Sequence, residues 1–443
     1  MTTVCVIGAG PSGLAAVKNF ADLGFDVTAY EASAGVGGQW RFGDPTGYSS
    51  VFETTHIISS REFSQYEDHA LPPGTPDYPS HRQLLAYFED YARRFGVTER
   101  VQVRTEVVRC EPLGTGGTPG GRGWRVTTRS RATGAEEVRD FGALVVCNGH
   151  HWRPRWPSYP GTFAGTYLHA HDYKRAEPFR GCRVLVLGGG NSACDVAVET
   201  ARVAARVDVS WRRGYWLLPK FLFGQPLDVV AARSAWLPRV VRARLMAGVL
   251  RLLHGPNEAV GLPRPDHAVG VTHPTVNSEL YDAVRHGRVR PRPDVTRFDG
   301  HTVHFADGTA ADYDAVVACT GYWIAHPFFD PEVVDFSRGP VPLYLRMLPA
   351  DRANLYFIGL FQPVGCIWPG AELQSKLAAR HLAGRWEPPG DLATLIRREL
   401  ARPDLPQLDT PRHTITVDGR AFGERLRKQL ARSTTRARSR AGR

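Results

Sequence analysis

The chain carries little that would mark a disulfide-stapled, metal-bound or membrane-spanning protein. Its seven cysteines (5, 110, 147, 182, 194, 319 and 366) are odd in number, and no two stand closer than Cys182 and Cys194. That spacing excludes CxxC metal knuckles and a close redox pair, so no metal site is expected, and a reducing, cytoplasmic setting is. No leader is expected either, because Met1-Thr-Thr runs directly into an apolar strand without a basic n-region or cleavage site. The most membrane-like stretch, Val229 to Leu253, is broken by Arg233, Pro238, Arg239, Arg242, Arg244 and Arg251, which leaves no transmembrane segment. Acidic residues are outnumbered, 44 against 55, but the surplus is concentrated. From Glu424 to Arg443 eight basic residues accompany one acid, leaving only +4 of the net +11 for the rest. A nucleic-acid-binding surface would spread its basic residues over a folded face. Here 424–443 reads as a solvated, disordered basic tail, and no nucleic-acid partner is expected.

What is present is an ordinary globular composition, 42% hydrophobic and 22% charged, over 443 residues, enough for two or three domains. The chain repeats itself once. Val4–Ile7 reads as a buried strand, followed by Gly8, Gly10 and Gly13, a helix from Leu14 to Leu23, and a second strand Asp26–Tyr30 ending in Glu31. Arg183–Leu187 begins the second copy, with Gly188, Gly190 and Ala193, a helix from about Cys194 to Ala204, and a strand Val207–Ser210. Each is a strand–turn–helix–strand unit of the dinucleotide-binding kind. Between them come a helix from near His81 to Gly96, strands Gln102–Val108 and Trp124–Thr128 around a glycine-rich loop (114–123), a buried strand Leu144–Cys147, and a linker marked by Pro154, Pro157 and Pro160. Beyond the second copy, Arg290–Ala318 reads as strands turning at Asp307-Gly308, and a late strand Leu355–Gly359 precedes a helix from about Ala371 to Ala383.

The expected fold is therefore α/β with two Rossmann-type dinucleotide-binding domains, the second inserted into the first. Domain limits are set at 1–160 and 326–423 for the two parts of the first domain and 161–325 for the second, with a lid-like insertion at about 216–273. That insertion holds one amphipathic helix, about Arg239–His254, whose Val240, Val241, Leu245, Met246, Val249 and Leu253 recur at helical spacing. Core packing is the expected reason, with a lipophilic channel or a membrane-surface contact as alternatives. The segment His273–Asn277 is a candidate to approach a pocket.

The glycines share one physical demand. Gly8 permits a tight turn, Gly10 lets a pyrophosphate approach the backbone, and Gly13 lets the helix pack closely on its strand; Gly188, Gly190 and Ala193 hold the same places. Phosphates would meet free N–H groups at the positive end of a helix dipole. The second strands separate the ligands. Twenty-three residues after the first glycine stands Glu31 in one copy, a carboxylate suited to ribose hydroxyls, and Trp211 followed by Arg212 and Arg213 in the other. A guanidinium pair would hold a 2′-phosphate that a carboxylate would repel. The first site thus suits FAD and the second NADPH. Electrons would pass from nicotinamide to flavin and, with no cysteine pair to receive them, onward to dioxygen or an external acceptor.

At this point the residues resemble a known family. Phe163-Ala-Gly165-Thr-Tyr-Leu-His169-Ala-His-Asp-Tyr173 fits the FxGxxxHxxx(Y/F) fingerprint of flavin-containing monooxygenases. Gly37-Gly38-Gln39-Trp40 after Glu31, Gly190-Asn191-Ser192, the hinge-like Cys319-Thr320-Gly321-Tyr322 and Glu372-Leu-Gln374 are similar to further family segments. The resemblance implies FAD contacts at Gly8, Gly10, Pro11, Ser12, Gly13, Glu31, Gly38, Gln39 and Trp40. It implies NADPH contacts at Gly188, Gly190, Asn191, Ser192, Arg212 and Arg213, and cofactor contacts at Thr320 and Gly321. His169 and Tyr173 are the fingerprint's candidates for coupling nicotinamide docking to flavin reactivity. Where animal members keep an Asn, this chain reads Ile58-Ser59-Ser60-Arg61-Glu62, so Ser59 and Ser60 are candidates for that role. His56, His81 and His151 are expected to be structural. The implied activity is reduction of FAD by NADPH, formation of a C4a-(hydro)peroxyflavin with dioxygen, and transfer of one oxygen atom to a nucleophilic nitrogen or sulfur of a small organic substrate. The alternative is a Baeyer–Villiger monooxygenase using the same intermediate on ketones, whose fingerprint ends in Trp-Pro where this chain has Tyr173-Lys174. The partners implied are that substrate and dioxygen, with a homodimer as the assembly admitted.

Overall fold

The computed structural model describes residues 1–114, 123–336, 339–352, 354–403, 405 and 413–441, with the backbone alone for 434–441. The chain forms two compact units, one made of Met1–Ser49, Arg61–Arg153 and Trp323–Arg443, the other of Ser50–Ser60 and Pro154–Tyr322. Each is built on a five-stranded parallel sheet.

In the first unit Thr3–Ile7 lies between Asp26–Tyr30 and Ala143–Val146, with Val101–Gln102 and Leu355–Phe357 at the edges. Strands covered on both faces can be apolar throughout, and Val4, Cys5, Val6, Leu144 and Val145 are fully buried. The returning helix, Pro11–Ala21, starts three residues earlier than its apolar pattern announces, because Pro11 fits the first helical position, where a missing N–H costs nothing. An antiparallel meander of Thr105–Pro112, Trp124–Ser130 and Glu136–Phe141 packs Cys110, Trp124, Val126 and Phe141 into the core. The glycine-rich loop expected before Trp124 falls largely on 115–122, outside the described residues.

In the second unit Arg183–Leu187 is flanked by Arg206–Ser210 and Ala315–Ala318, with Val289–Arg292 and Thr166–His169 outermost. The two copies match in detail. The N–H of Gly8 donates to the carbonyl of Tyr30 (2.8 Å) and that of Gly188 to the carbonyl of Ser210 (3.0 Å). Cys147 N–H donates to Ile7 and Cys319 N–H to Leu187 (2.9 and 2.8 Å). Both glycines have positive φ, +92° and +116°, which L side chains rarely adopt. In each copy the glycine turn therefore opens beside the carboxyl ends of two flanking strands, the place where such sheets bind ligands.

Two expectations fail, both at amphipathic helices. The basic C-terminal segment is not a disordered tail: Gly419–Ala441 is one helix, packed on Trp368–Leu382. Phe422, Leu426 and Ser433 are buried, Arg380 Nη1 donates to Ser433 Oγ (2.6 Å), and Arg427 pairs with Glu67 at 3.1 Å. Charge counting registered the solvated face and missed the opposite one, marked by Phe422 and Leu426 four residues apart. Conversely, Arg239–His254 has the bounds expected but does not bury its apolar side chains. Leu250 alone is buried, while Val240, Leu245, Leu252 and Leu253 are 62%, 57%, 87% and 52% exposed. Periodicity locates an apolar stripe but does not say whether protein covers it. No helix among the described residues is long and apolar enough to cross a membrane.

Candidate functional site

In the first unit two glycine turns lie back to back. Gly10 caps helix Pro11–Ala21 with no side chain bonded to its first-turn amides. Gly37 N–H donates to the Ala9 carbonyl (2.9 Å), and a Cβ on Gly38 would lie 2.9 Å from Gly10 Cα. A Cβ on Gly13 would overlap the Gly8 carbonyl oxygen, so the helix can approach its strand only without a side chain there. The result is a backbone-lined hollow at a helix N-terminus, suited to a pyrophosphate. Glu31, buried at the end of the second strand, closes it: Oε2 accepts the Ala9 N–H and Oε1 the Ser33 N–H, both at 2.8 Å. Each carboxylate oxygen keeps a second lone pair for a ligand hydroxyl. The Gln39 carbonyl accepts from Ser49 Oγ (2.6 Å), and Trp40 stands edge-on to Trp368 at 5.9 Å.

Two contacts to this turn come from distant sequence, and no local pattern announces them. Tyr66 Oη donates to the Pro11 carbonyl (2.7 Å). Gly359, with φ +81°, passes so close to Ser12 that a Cβ would overlap its Oγ. Buried Gln374 then fixes Gly359, accepting its N–H (2.9 Å) while donating to the Leu345 carbonyl (2.9 Å).

The second unit repeats the turn with a different lining. A Cβ on Gly188 would lie 2.6 Å from the Cys319 carbonyl oxygen, and Gly190 caps helix Asn191–Thr200 with no side chain on its first-turn amides. Ser192 is exposed in that first turn. The Asn191 amide is occupied by protein: Nδ2 donates to the Pro274 carbonyl (3.0 Å) and Oδ1 accepts the Val276 N–H (2.7 Å). It braces the His273–Asn277 segment, which thus lies against the second turn, with Thr275 Oγ1 donating to the Gly189 carbonyl (3.3 Å).

Trp211 is buried edge-on against Tyr215, so the position matching Glu31 faces inward and carries no charge. Arg212 and Arg213 follow it, and neither takes part in an ion pair among the described residues; Arg213 Nε is buried without an acceptor there. A third guanidinium joins them. Arg155 is held by two bonds to the Thr320 carbonyl (3.0 and 2.8 Å), and Thr320 Oγ1 donates back to the Arg155 carbonyl (2.5 Å). Burial, then repulsion from Arg212 and Arg213, pushes the Arg155 pKa down from its ordinary value. Gly321, at φ +87°, accepts the Arg155 N–H (2.9 Å). Gathered cations of this kind are what an anionic group would relieve. Arg155 lay hidden among the linker prolines; its mark in the sequence is only that it is an arginine.

The remaining candidates also lie in the second unit. Ser59 and Ser60 are buried; Ser60 N–H donates to Asp228 Oδ2 (2.6 Å), and its hydroxyl oxygen has no hydrogen-bond partner among the described residues. His169 is fully buried, edge-on to Trp156 (5.7 Å) and Tyr322 (5.2 Å), with Nδ1 accepting the His171 N–H (3.1 Å). Burial, reinforced by the neighbouring His171, lowers its pKa to about 4, so the ring is neutral near pH 7. Tyr173 stacks on Phe179 and packs on Phe52 within the core, its hydroxyl 3.2 Å from Thr200 Oγ1. Thr200 ends the helix that Gly190 begins, so Tyr173 stands about 15 Å along that helix from the glycine turn. The fingerprint thus contributes one side chain near Gly321 and another at the far end of the unit's first helix.

Residues 1–401 match the family described as FMO-like, flavin-binding monooxygenase-like. The chain belongs to that family. It is 33% identical over 432 residues to flavin-containing monooxygenase 5 of Mus musculus, covering 94% of this chain and 80% of that protein. It is also 33% identical over 421 residues to dimethylaniline monooxygenase (N-oxide-forming) 2 of Cavia porcellus, covering 91% and 78%. Among solved structures it is similar in fold to S-allyl-L-cysteine S-oxygenase from Allium sativum, with a TM-score of 0.70 and 24% identity over 97% of this chain and 88% of that one. This flavin-binding monooxygenase is an oxidoreductase dependent on FAD and NADPH. The two turns fit those groups: one has a hollow that a Cβ would fill and a carboxylate at its rim, the other has the same turn with guanidinium groups.

Proposed function

We propose that this flavin-binding monooxygenase transfers one oxygen atom of dioxygen to a nucleophilic nitrogen or sulfur of a small organic molecule, at the expense of NADPH. The observation that carries the reading is the contrast between the two turns: Glu31 bonded to the Ala9 amide in one, and Arg155, Arg212 and Arg213 gathered beside the other. The N-oxide-forming name of the Cavia porcellus relative and the Tyr173-Lys174 end of the fingerprint favour heteroatom oxidation over ketone oxidation.

Bound FAD would supply the redox chemistry that links NADPH to dioxygen. The chain's own residues bind and orient. The amides around Gly10 and Gly38 receive the flavin nucleotide's pyrophosphate, and Glu31 both braces that loop and accepts a ribose hydroxyl. Amides at Gly190 and Ser192 receive the nicotinamide nucleotide's pyrophosphate, while Arg212, Arg213 and Arg155 grip its 2′-phosphate. Ser60 carries a buried hydroxyl without a partner among the described residues, free to donate one hydrogen bond to a bound group, and Asp228 holds its backbone in place. His169 is a positioning residue, buried edge-on to Tyr322 beside Gly321. Tyr173 is a positioning residue that packs the core behind it.

Paired incubation with a dialkyl sulfide, a tertiary amine and a cyclic ketone tests this directly. Sulfoxide and N-oxide are the expected products. Ester or lactone as the sole product would overturn the heteroatom reading, and NADPH oxidation yielding only hydrogen peroxide with every substrate would overturn both.

A further inference from the structure

The exposed apolar residues of this chain are not scattered. Eight of them fall between Phe221 and Leu253, and they include Trp236 at 80%, Phe223 at 81% and Leu252 at 87% exposure. In helix Arg239–His254 the outward side chains have a pattern. Exposed Val241, Leu245 and Leu252, with half-buried Val249 among them, follow at intervals of four, four and three residues as one stripe on an α-helix, and Val240 and Leu253 are exposed at its flanks. At 100° per residue Arg244 and Arg251 border that stripe on one side and Arg242 on the other. The helix turns its buried residue, Leu250, away from it. An apolar stripe between arginine borders, facing out, is the reverse of a core helix.

Charge narrows the occupant. From Val229 to Asn257 the chain has five arginines and no acidic residue. A protein partner or second copy of this chain would have to meet that cationic border with carboxylates, and this stretch offers none to itself. An anionic lipid surface supplies both halves at once, phosphate at headgroup depth for the arginines and hydrocarbon beneath for Leu245 and Leu252, with Trp236 suited to the boundary. Phe223 adds a separate sign: it sits at the turn of the hairpin Phe221–Leu222 and Gln225–Pro226 with φ +52°, a strained setting for a bulky residue, and presents its ring to the outside.

We propose that helix Arg239–His254, with the hairpin before it, docks this enzyme on an anionic membrane surface, lying in the interface plane rather than crossing it. The inference does not depend on the oxidation chemistry. Flotation of the full-length holoprotein with phosphatidylcholine vesicles, with and without phosphatidylglycerol, tests it. Wild-type protein should float with the anionic vesicles, and added salt should release it. Leu245→Ser/Leu252→Ser should abolish flotation, and Arg244→Gln/Arg251→Gln should weaken it about fivefold per charge removed. Both pairs are exposed, so flavin content and NADPH oxidation should match wild type and certify the fold. Failure of wild type to float overturns the proposal. So does undiminished flotation of both variants, which would place the contact at the basic C-terminal helix. Vesicle-independent self-association that Leu245→Ser/Leu252→Ser dissolves, without flotation, would assign the stripe to a second copy and overturn it equally.

Discussion

Glu31→Gln isolates the carboxylate that joins the first glycine turn to the second strand. In the native protein both oxygens accept backbone N–H groups at 2.8 Å, and the side chain is buried. An amide keeps one acceptor oxygen and puts an NH₂ against the other N–H, so either Ala9 or Ser33 faces a donor. The loss combines one charge-assisted bond, about 1.5–3 kcal/mol, with a buried donor left unsatisfied, about 1–3 kcal/mol. A total of about 3–5 kcal/mol should lower the melting temperature of flavin-stripped protein by roughly 3–5 °C. Flavin retained after gel filtration should fall as well, since the Ala9–Gly10 amides lose their brace. Differential scanning calorimetry of stripped protein and absorbance of the loaded form read the two effects separately. If Glu31→Gln melts with wild type and keeps a full complement of flavin, the carboxylate does not hold the loop and the reasoning is refuted.

The other expectations concern the second unit. Arg212→Ala and Arg213→Ala should each raise the NADPH KM by about 10–100-fold, the worth of one charge-assisted phosphate contact, and leave the NADH KM within a factor of about two; Arg155→Ala should act in the same direction. Equal effects on both coenzymes would place these arginines elsewhere. Ser60→Ala removes a buried hydroxyl that has no partner among the described residues, so stability should hold or rise by about 1 kcal/mol. The fraction of NADPH consumption ending in product should nevertheless fall, and an unchanged coupling ratio would remove Ser60 from the chemistry. For His169 the sign follows from its lowered pKa. The unfolded ring takes a proton below about 6.5 and the buried one resists to about 4, so stability present above pH 6.5 is lost as pH falls through that window. The loss is on the order of 3 kcal/mol. His169→Asn should flatten the acid limb of a denaturation series between pH 7 and pH 4; an identical slope would contradict the assignment.

Much of this architecture was legible because buried parallel strands declare themselves. Val4–Ile7 and Val184–Leu187 are apolar throughout, each followed by a glycine of positive φ, Gly8 and Gly188, and the fold repeats them faithfully. Glu31 and the Arg212–Arg213 pair were legible because spacing alone carries them to corresponding strand ends. What stayed hidden depends on tertiary approach. Nothing local announces that Gly359, fixed by Gln374, closes on Ser12, since that approach spans most of the chain. Arg155 gains meaning only when Thr320 turns it toward Arg212 and Arg213. The strand Thr166–His169 sits inside the fingerprint and was readable as a motif but not as a sheet edge, because Thr166 and His169 break the apolar run of a central strand. The two amphipathic helices erred in opposite directions, one packed where charge suggested solvent, one exposed where periodicity suggested core.

The most direct test of the oxygen-transfer account is turnover of a dialkyl sulfide with NADPH under ¹⁸O-labelled dioxygen. One labelled oxygen atom in each sulfoxide, with product matching NADPH consumed, is the result expected. Sulfoxide oxygen drawn from water, or NADPH consumed with hydrogen peroxide as the sole product, would contradict it.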